Sequence, residues 1–379
     1  MEATLIVAVL ACNVAASEWL CRHTFLRHLG SALLVIVLTA IVANLGWIPT
    51  GVEPVAVYDG VFAYVAPLAI FWLLLGVNLR SILDAGVPLV LLFLIGSLGT
   101  VAGVLGGMAV AGGPGVFGQR GFALGGMFVA TYTGGSANFN SVALEYGVVK
   151  DGALYAAASV VDSAMTTVWM AVTVFLPRVL LRLRPAAHWR GKARGAGAPI
   201  TGVEDDTESV HPLDLALLLG LGAFALWISL RWSGTWQVPS ILILTSLALV
   251  LAQFGAIRRL AGARVMGLFC VQIFLAVIGA LCDLEALRGI GPLGVSLMVL
   301  VSVAVCVHGV VVFAAAWLLR LEPPLAAVAS QANIGGGTSA LALARSLGRS
   351  DLVLPAVLVG SLGTALGSYL GFFTAGLLR

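Results

Sequence analysis

Ten apolar stretches, each close to 20 residues or longer, restrict this chain to one environment. A helix needs about 20 apolar residues to cross about 30 Å of hydrocarbon. Segments 3–21, 29–46, 60–79, 85–111, 152–177, 212–230, 238–256, 265–283, 291–319 and 352–378 approach or exceed that length. Of 379 residues, 60% are hydrophobic and only 10% are charged, whereas soluble domains carry about 25% charged residues. Backbone polar groups have no water to bind in lipid, so each segment must satisfy them internally. The expected fold is therefore an all-α membrane protein of about ten transmembrane helices. The net charge is +3 and the only lysines are Lys150 and Lys192. No basic run is interleaved with exposed aromatics, which excludes a nucleic-acid partner and leaves the lipid bilayer as the surrounding medium.

Two further apolar stretches break the pattern. Segments 121–147 and 324–348 are interrupted by "TYTGGSANFN" and "SQANIGGGTS", which combine adjacent glycines with Asn, Ser, Thr and Gln. Each glycine lowers helix propensity by about 1 kcal/mol relative to alanine. Irregular backbone survives at membrane depth only inside protein or beside a wet cavity. The two segments are thus expected to be discontinuous helical elements, either re-entrant or broken while crossing. Charge asymmetry bears on which. With 178–211 in the cytoplasm and both segments re-entrant, five of the 20 Lys and Arg lie outside: Arg120, Lys150, Arg231, Arg288 and Arg379. Letting both segments cross moves three more outside, so the hairpin arrangement is favoured.

The order of elements repeats about 200 residues apart. "PLAIFWLLLGVNLRSI" corresponds to "VQIFLAVIGALCDLEAL", and the long glycine-containing spans 85–111 and 291–319 follow. The two broken elements come next, then "KDGALYAAASVVDSAMTTV" and "SDLVLPAVLVGSLGTALGS". Five spans per half make the halves inverted, the sequence signature of many secondary transporters. The chain accordingly divides into a first membrane repeat (1–177), a cytoplasmic linker (178–211) and a second, inverted repeat (212–379). The core elements are 121–177 and 324–378. The linker opens with Arg178, Arg182, Arg184, Arg190, Lys192 and Arg194 and closes with Glu204, Asp205, Asp206 and Glu208.

The breaks also carry the candidate chemistry. An interrupted helix exposes carbonyls at one end, suited to Na⁺, and N–H groups at the next start, suited to an anionic group. Thr131, Thr133, Gly134, Gly135, Ser136, Asn138 and Asn140 form one half of the expected substrate and ion site. Ser330, Gln331, Asn333, Gly335, Gly336, Gly337, Thr338 and Ser339 form the other. Asp162 lies well inside an apolar span, where a charge costs about 2.5–3.5 kcal/mol and usually marks an ion path. Na⁺ could be held at Asn138, Asp162 and Asn333. His308, alone in "VCVHGVV", reads as a hydrogen-bonded packing residue.

Other chemistries lack their residues. No G-x-x-x-x-G-K-[ST] or H-E-x-x-H occurs, and Cys12, Cys21, Cys270, Cys282 and Cys306 form no C-x-x-C pair. "GPGVFG" matches a dinucleotide fingerprint but follows no strand. An aspartyl intramembrane protease would need a second carboxylate at membrane depth, so an enzyme is not expected, and the only cofactor role falls to Na⁺ or H⁺ as coupling ion.

"GGSANF" (134–139), "SQANIGGGTSALALA" (330–344) and "VLVGSLGTALGSYLG" (357–371) resemble the YjcL-like family of uncharacterised membrane proteins, as do "LGWIP" (45–49) and the span entry at 58–80. That family is similar to the cation:proton antiporter and anion transporter superfamily, which includes bile-acid:sodium symporters. The resemblance implies a mobile core domain with two discontinuous elements, plus a panel domain. It also implies that Asn138, Asn333 and the adjoining glycines lie at the discontinuities, and that Asp162 sits in a span analogous to the one bearing the antiporters' acidic residue. Many of those relatives use crossing discontinuous helices, so crossing and re-entry both stay open here. The expected function is a Na⁺- or H⁺-coupled secondary transporter of a small anionic organic solute, located in a bacterial inner membrane, with a homodimer as candidate assembly. The alternatives are a monovalent cation/proton antiporter and, more remotely, an intramembrane enzyme or sensor.

Overall fold

The computed structural model describes residues 2–26, 31–50, 55–79, 84–183, 210–236, 238–282 and 291–379. Nearly all of these are helical. We label the helices α1 (Ala3–His23), α2 (Ser31–Asn44), α3 (Ala56–Leu74), α4 (Val87–Val110), α5 (Gly121–Gly134), α6 (Ser136–Glu145) and α7 (Gly152–Leu183). The series continues with α8 (Pro212–Trp236), α9 (Ser240–Leu251), α10 (Ala263–Ala280), α11 (Gly291–Leu318), α12 (Pro323–Ile334), α13 (Gly336–Ser346) and α14 (Val353–Leu377).

Among the described residues eight helices are long and apolar enough to cross a membrane, which makes the protein a multi-pass membrane protein. The expected spans 29–46 and 238–256 are shorter than the sequence implied. They form α2 and α9, of 14 and 12 residues. At 1.5 Å per residue these reach only about 21 and 18 Å. Most of the expected linker falls outside the described residues; α7 runs through its first positions to Leu183.

The element order repeats: α1 to α7 are matched in kind and sequence by α8 to α14, including the two short helices. Even the single 3-10 turns before α7 and α14, Val148–Lys150 and Ser350–Leu352, correspond. The chain also divides into two compact units that cut across this repeat. The first comprises Met1–Gly76, Ala143–Ser163 and Glu208–Val295; the second comprises Val77–Val142, Ala164–Thr207 and Ser296–Arg379.

In the first unit α10 packs on α2 and α3. Gly279 lies against the Ile36 backbone and Gly267 against Leu73, while Phe274 meets Phe62 edge-on with ring centroids 5.9 Å apart. These pairings make α3 and α10 antiparallel. Trp72 Nε1 donates to Leu218 O at 2.9 Å, and Asn44 Nδ2 donates to Cys282 O at 2.9 Å. Small residues and interhelical polar bonds are what hold helices together where lipid offers no hydrophobic drive.

In the second unit α4 and α11 run antiparallel along a glycine stripe. Gly96 abuts His308 and Val312, Gly99 abuts Val311, Gly103 abuts Ala304 and Gly107 abuts Leu300. A Cβ at Gly103 would come 2.5 Å from Ala304 O. Equivalent helices thus oppose each other in both units, the sense that an inverted repeat requires.

The two broken segments are helical hairpins. Val142 of α6 lies beside Gly126 of α5, and the Phe128 and Phe139 rings stand 6.1 Å apart. In a crossing element Gly126 and Val142 would be about 24 Å apart at 1.5 Å per residue. The second hairpin, α12–α13, is closed at its base, where Arg349 Nη1 meets Glu322 Oε2 at 2.6 Å and Nη2 meets Asp351 Oδ2 at 2.7 Å. Asp351, with help from Glu322, holds the Arg349 guanidinium more firmly protonated than an ordinary arginine. Residues 322 and 349 would lie on opposite membrane faces if this segment crossed. The charge-based preference for re-entry matches this geometry.

Replacing Glu322 and Arg349 by cysteine, in a chain whose five native cysteines are removed, should give a disulfide within the hairpin under mild oxidation. Mass spectrometry of the proteolysed protein would report it. A failure to cross-link, with one position labelled only from outside and the other only from inside, would contradict the hairpin.

Candidate functional site

Each hairpin turns on glycines for two different reasons. Gly135 and Gly336 have φ of +86° and +75°, where a side chain strains the backbone although no atom lies within 4 Å of either Cβ position. Gly134 and Gly335 are limited by space. A side chain at Gly134 would overlap Gly363 O and Asn138 Nδ2, and one at Gly335 would overlap Ser339 Oγ and Gln331 Nε2. Gly337 packs against Gly360 of α14.

The hairpins are seated reciprocally. The first lies antiparallel on α14, helix for helix: Gly126 meets Gly371 and Ala375, Ala130 meets Gly367 and Gly371, and Gly363 backs directly onto Thr133 O. The second is bonded to α7, the counterpart of α14 in the other half. Trp169 Nε1 donates to Ser330 Oγ at 2.9 Å, and Thr173 Oγ1 donates to Gln331 Oε1 at 3.1 Å. Both hairpins also touch one stretch of α4. Thr100 Oγ1 donates to Tyr132 O at 3.2 Å, and Asn333 Nδ2 donates to Ser97 Oγ at 2.9 Å.

Several expected site residues are engaged in this seating. Asn138 accepts from Ser368 N at 3.0 Å and Ser368 Oγ at 2.6 Å, and its Nδ2 donates to Gly134 O at 2.9 Å. Its amide therefore pins the hairpin to α14. Ser330 is equally committed. Its oxygen accepts from Trp169 and its hydroxyl donates to His308 Nε2, each at 2.9 Å, because Gly96 O can only accept and so fixes the ring's proton on Nδ1. His308 Nδ1 then carries the proton and donates to Gly96 O at 2.9 Å, with Thr100 Oγ1 3.0 Å away. The network assigns this tautomer. Gln331 Nε2 donates to Ser339 Oγ at 3.2 Å across the second tip. Ser136 and Thr338, at the starts of the two return helices, are exposed, whereas Thr131, Thr133, Asn140 and Asn333 are buried.

The structure brings the residues of both hairpins into one compact unit. It assigns Asp162 to the other unit, on α7 one position before the division at Ser163, where it is half-buried. Sequence reading singled out neither Trp169, Thr173, Ser97, Thr100 nor Ser368, all of which bond to hairpin residues. The signal that could have found the α4 pair is local: Ser97 and Thr100 lie within the Gly96–Gly99–Gly103 stripe. Charge is sparse around these contacts. Helices α4, α5, α11, α12 and α14 contain no Asp, Glu, Lys or Arg. No group of three or more His, Cys, Asp and Glu that could hold a metal ion exists among the described residues.

A family model described as "Protein of unknown function (DUF819)" matches residues 4–379. The chain belongs to the DUF819 family. It is also similar to the "Uncharacterized membrane protein YjcL" of Bacillus subtilis (strain 168), at 29% identity over 369 residues, covering 93% of this chain and 90% of that protein. The family match therefore takes in both hairpins and both seating helices.

Ser330→Ala removes the acceptor of Trp169 and the donor to His308 at once. Each buried group left unsatisfied costs about 1–3 kcal/mol, so the thermal midpoint in detergent should fall by several degrees. A Trp169→Phe change made in that background should add less than it does alone, because the two share one bond. Strict additivity of the two shifts would mean that the network does not act as a unit.

Proposed function

We propose that this member of the DUF819 family is a secondary active transporter. It carries a small anionic organic solute, coupled to Na⁺ or H⁺, by alternating access. One observation carries this reading: two re-entrant hairpins of opposed halves, each turning on glycines and each seated on the other half's last helix. Lipid-exposed chain does not tolerate such turns, which survive only inside protein or beside a water-filled path. The exposed Ser136 and Thr338 stand where α6 and α13 begin, and the positive ends of helix dipoles favour an anionic group there. Interrupted helices of this kind commonly form substrate and ion sites in transporters built from inverted repeats. Under this reading the protein resides in a bacterial inner membrane, with the basic start of 178–211 on the cytoplasmic side.

Asp162 supports a cation/proton antiporter as the second reading, because it is the carboxylate embedded in an apolar span. Proteoliposome flux separates the two. Under the symport reading an imposed Na⁺ or proton gradient drives accumulation of organic acids from a defined mixture, read by mass spectrometry. Modifying Thr338→Cys or Ser136→Cys with a bulky anionic thiol reagent should abolish it. Exchange of Na⁺ for protons without any solute would favour the antiporter instead, and the absence of both fluxes would remove the carrier reading. In either case Asp162→Asn is expected to uncouple the cation; full gradient-driven flux in that variant would take Asp162 out of the coupling step.

A further inference from the structure

Each hairpin buries, near its turn, a side-chain oxygen that no neighbour satisfies. Among the described residues, Thr133 Oγ1 and Asn333 Oδ1 are fully buried and have no hydrogen-bond partner. Both residues lie near their hairpin's turn, one in each, and both helices that carry them are anchored to the Ser97–Thr100 turn of α4.

The threonine differs from helical threonines elsewhere in the chain. Thr364 and Thr374 each donate to the carbonyl four residues back, at 3.1 and 2.8 Å. A threonine inside a helix can satisfy its hydroxyl in this way. Thr133 does not make it, so its oxygen is left for something other than its own helix.

The orientation of the asparagine is fixed by its neighbour. Ser97 Oγ donates to Phe93 O at 3.0 Å and can only accept from Asn333, so Nδ2 faces Ser97 and Oδ1 faces away. A flipped amide would set two acceptors against each other. Oδ1 rests in the place where Gly96 has no side chain; a Cβ there would come 2.5 Å from it. Burying a polar oxygen without a partner is costly, and each hairpin does so next to its turn.

We infer that Thr133 Oγ1 and Asn333 Oδ1 are ligands of a small monovalent cation, Na⁺, bound where the two hairpins meet α4. Carbonyls at the interrupted ends of α5 and α12 complete an all-oxygen shell. Neutral oxygens suit a hard cation, and the Asn333 amide oxygen, which can only accept, would repel an anion. The uncharged helices around the pair offer no carboxylate to offset a divalent ion, whose desolvation cost rises with the square of its charge. Asn138, whose Oδ1 already accepts twice from Ser368, seats the hairpin and does not ligate the ion. This inference rests on the carrier reading and adds a Na⁺ site to it.

The test is binding of ²²Na⁺ to the purified full chain in detergent, with K⁺ and choline as competitors, alongside thermal stability in each salt. The wild type should bind Na⁺ saturably and melt higher in Na⁺ than in choline. Thr133→Val keeps the shape and removes the oxygen. It should weaken Na⁺ binding about tenfold or more, equivalent to about 1.4 kcal/mol, while melting in choline no lower than wild type. Asn333→Asp keeps Oδ1 and adds charge, so it should bind Na⁺ more tightly than wild type. Wild-type affinity in both variants, or no Na⁺-specific binding by the wild type, would overturn the site. A loss of stability in choline for Thr133→Val would mean that its hydroxyl already has a partner, which also overturns it. Flux keeps this separate from the carrier reading: proton-driven solute uptake in Na⁺-free medium with no ²²Na⁺ binding removes the site and leaves the carrier. Conversely, Na⁺ binding without any flux removes the carrier and leaves the site.

Discussion

Every polar backbone group in the hydrocarbon must find a partner within the protein, and the rest of this structure follows from that demand. A helix meets it along its length but fails at its ends. Placing four helix ends at two hairpin turns inside a membrane protein is costly unless neighbouring chain closes tightly around them. The chain achieves this by omitting side chains. Gly363 lets α14 lie on Thr133 O, Gly360 lets it lie on Gly337, and Gly96 makes room for the Asn333 amide. The glycines that weaken the helices in isolation are the ones that let the packed unit form.

Polar side chains then divide into two groups. Asn138, Ser330, Gln331, Ser368, Trp169 and His308 hydrogen-bond to one another, to Thr173 and Ser339, and to the backbone. They form the mortar of an interior whose five principal helices carry no charge. His308 illustrates how such a group can be titratable in principle and structural in this arrangement: both ring nitrogens are occupied by neutral partners. Thr133 and Asn333 form the other group, with capacity left over. The distinction matters because all of these residues look alike as letters, and only the partners separate them.

Much of the fold was legible before any coordinates. Apolar length marked the helices, glycine with Asn and Ser marked the breaks, and the distribution of Arg and Lys favoured re-entry over crossing. The repeat was visible as an order of elements, and the structure adds that equivalent helices oppose each other. What could not be read depended on partners distant in sequence. Asn138 bonds to Ser368 at a separation of 230 residues, and Asn333 to Ser97 at 236. No local pattern says which asparagine is satisfied. The short helices α2 and α9 were overestimated because hydropathy continues past the point where the helix stops. Asp162, singled out for its place in an apolar span, belongs to the first compact unit, just before the division after Ser163.

The reciprocal seating also governs how such a protein can be made. The first hairpin has no complete surface to rest on until α14 has been synthesised, some 230 residues later. Throughout that interval its turn, with the Thr133 and Asn138 side chains, must be sheltered by the insertion machinery, by lipid headgroups or by water. The first half is therefore a dependent intermediate, and its native register is set only when the last helix of the second half arrives. Lesions in the α14 glycines at 363, 367 and 371 would then act at a distance in the chain, appearing as failed biogenesis of the first hairpin.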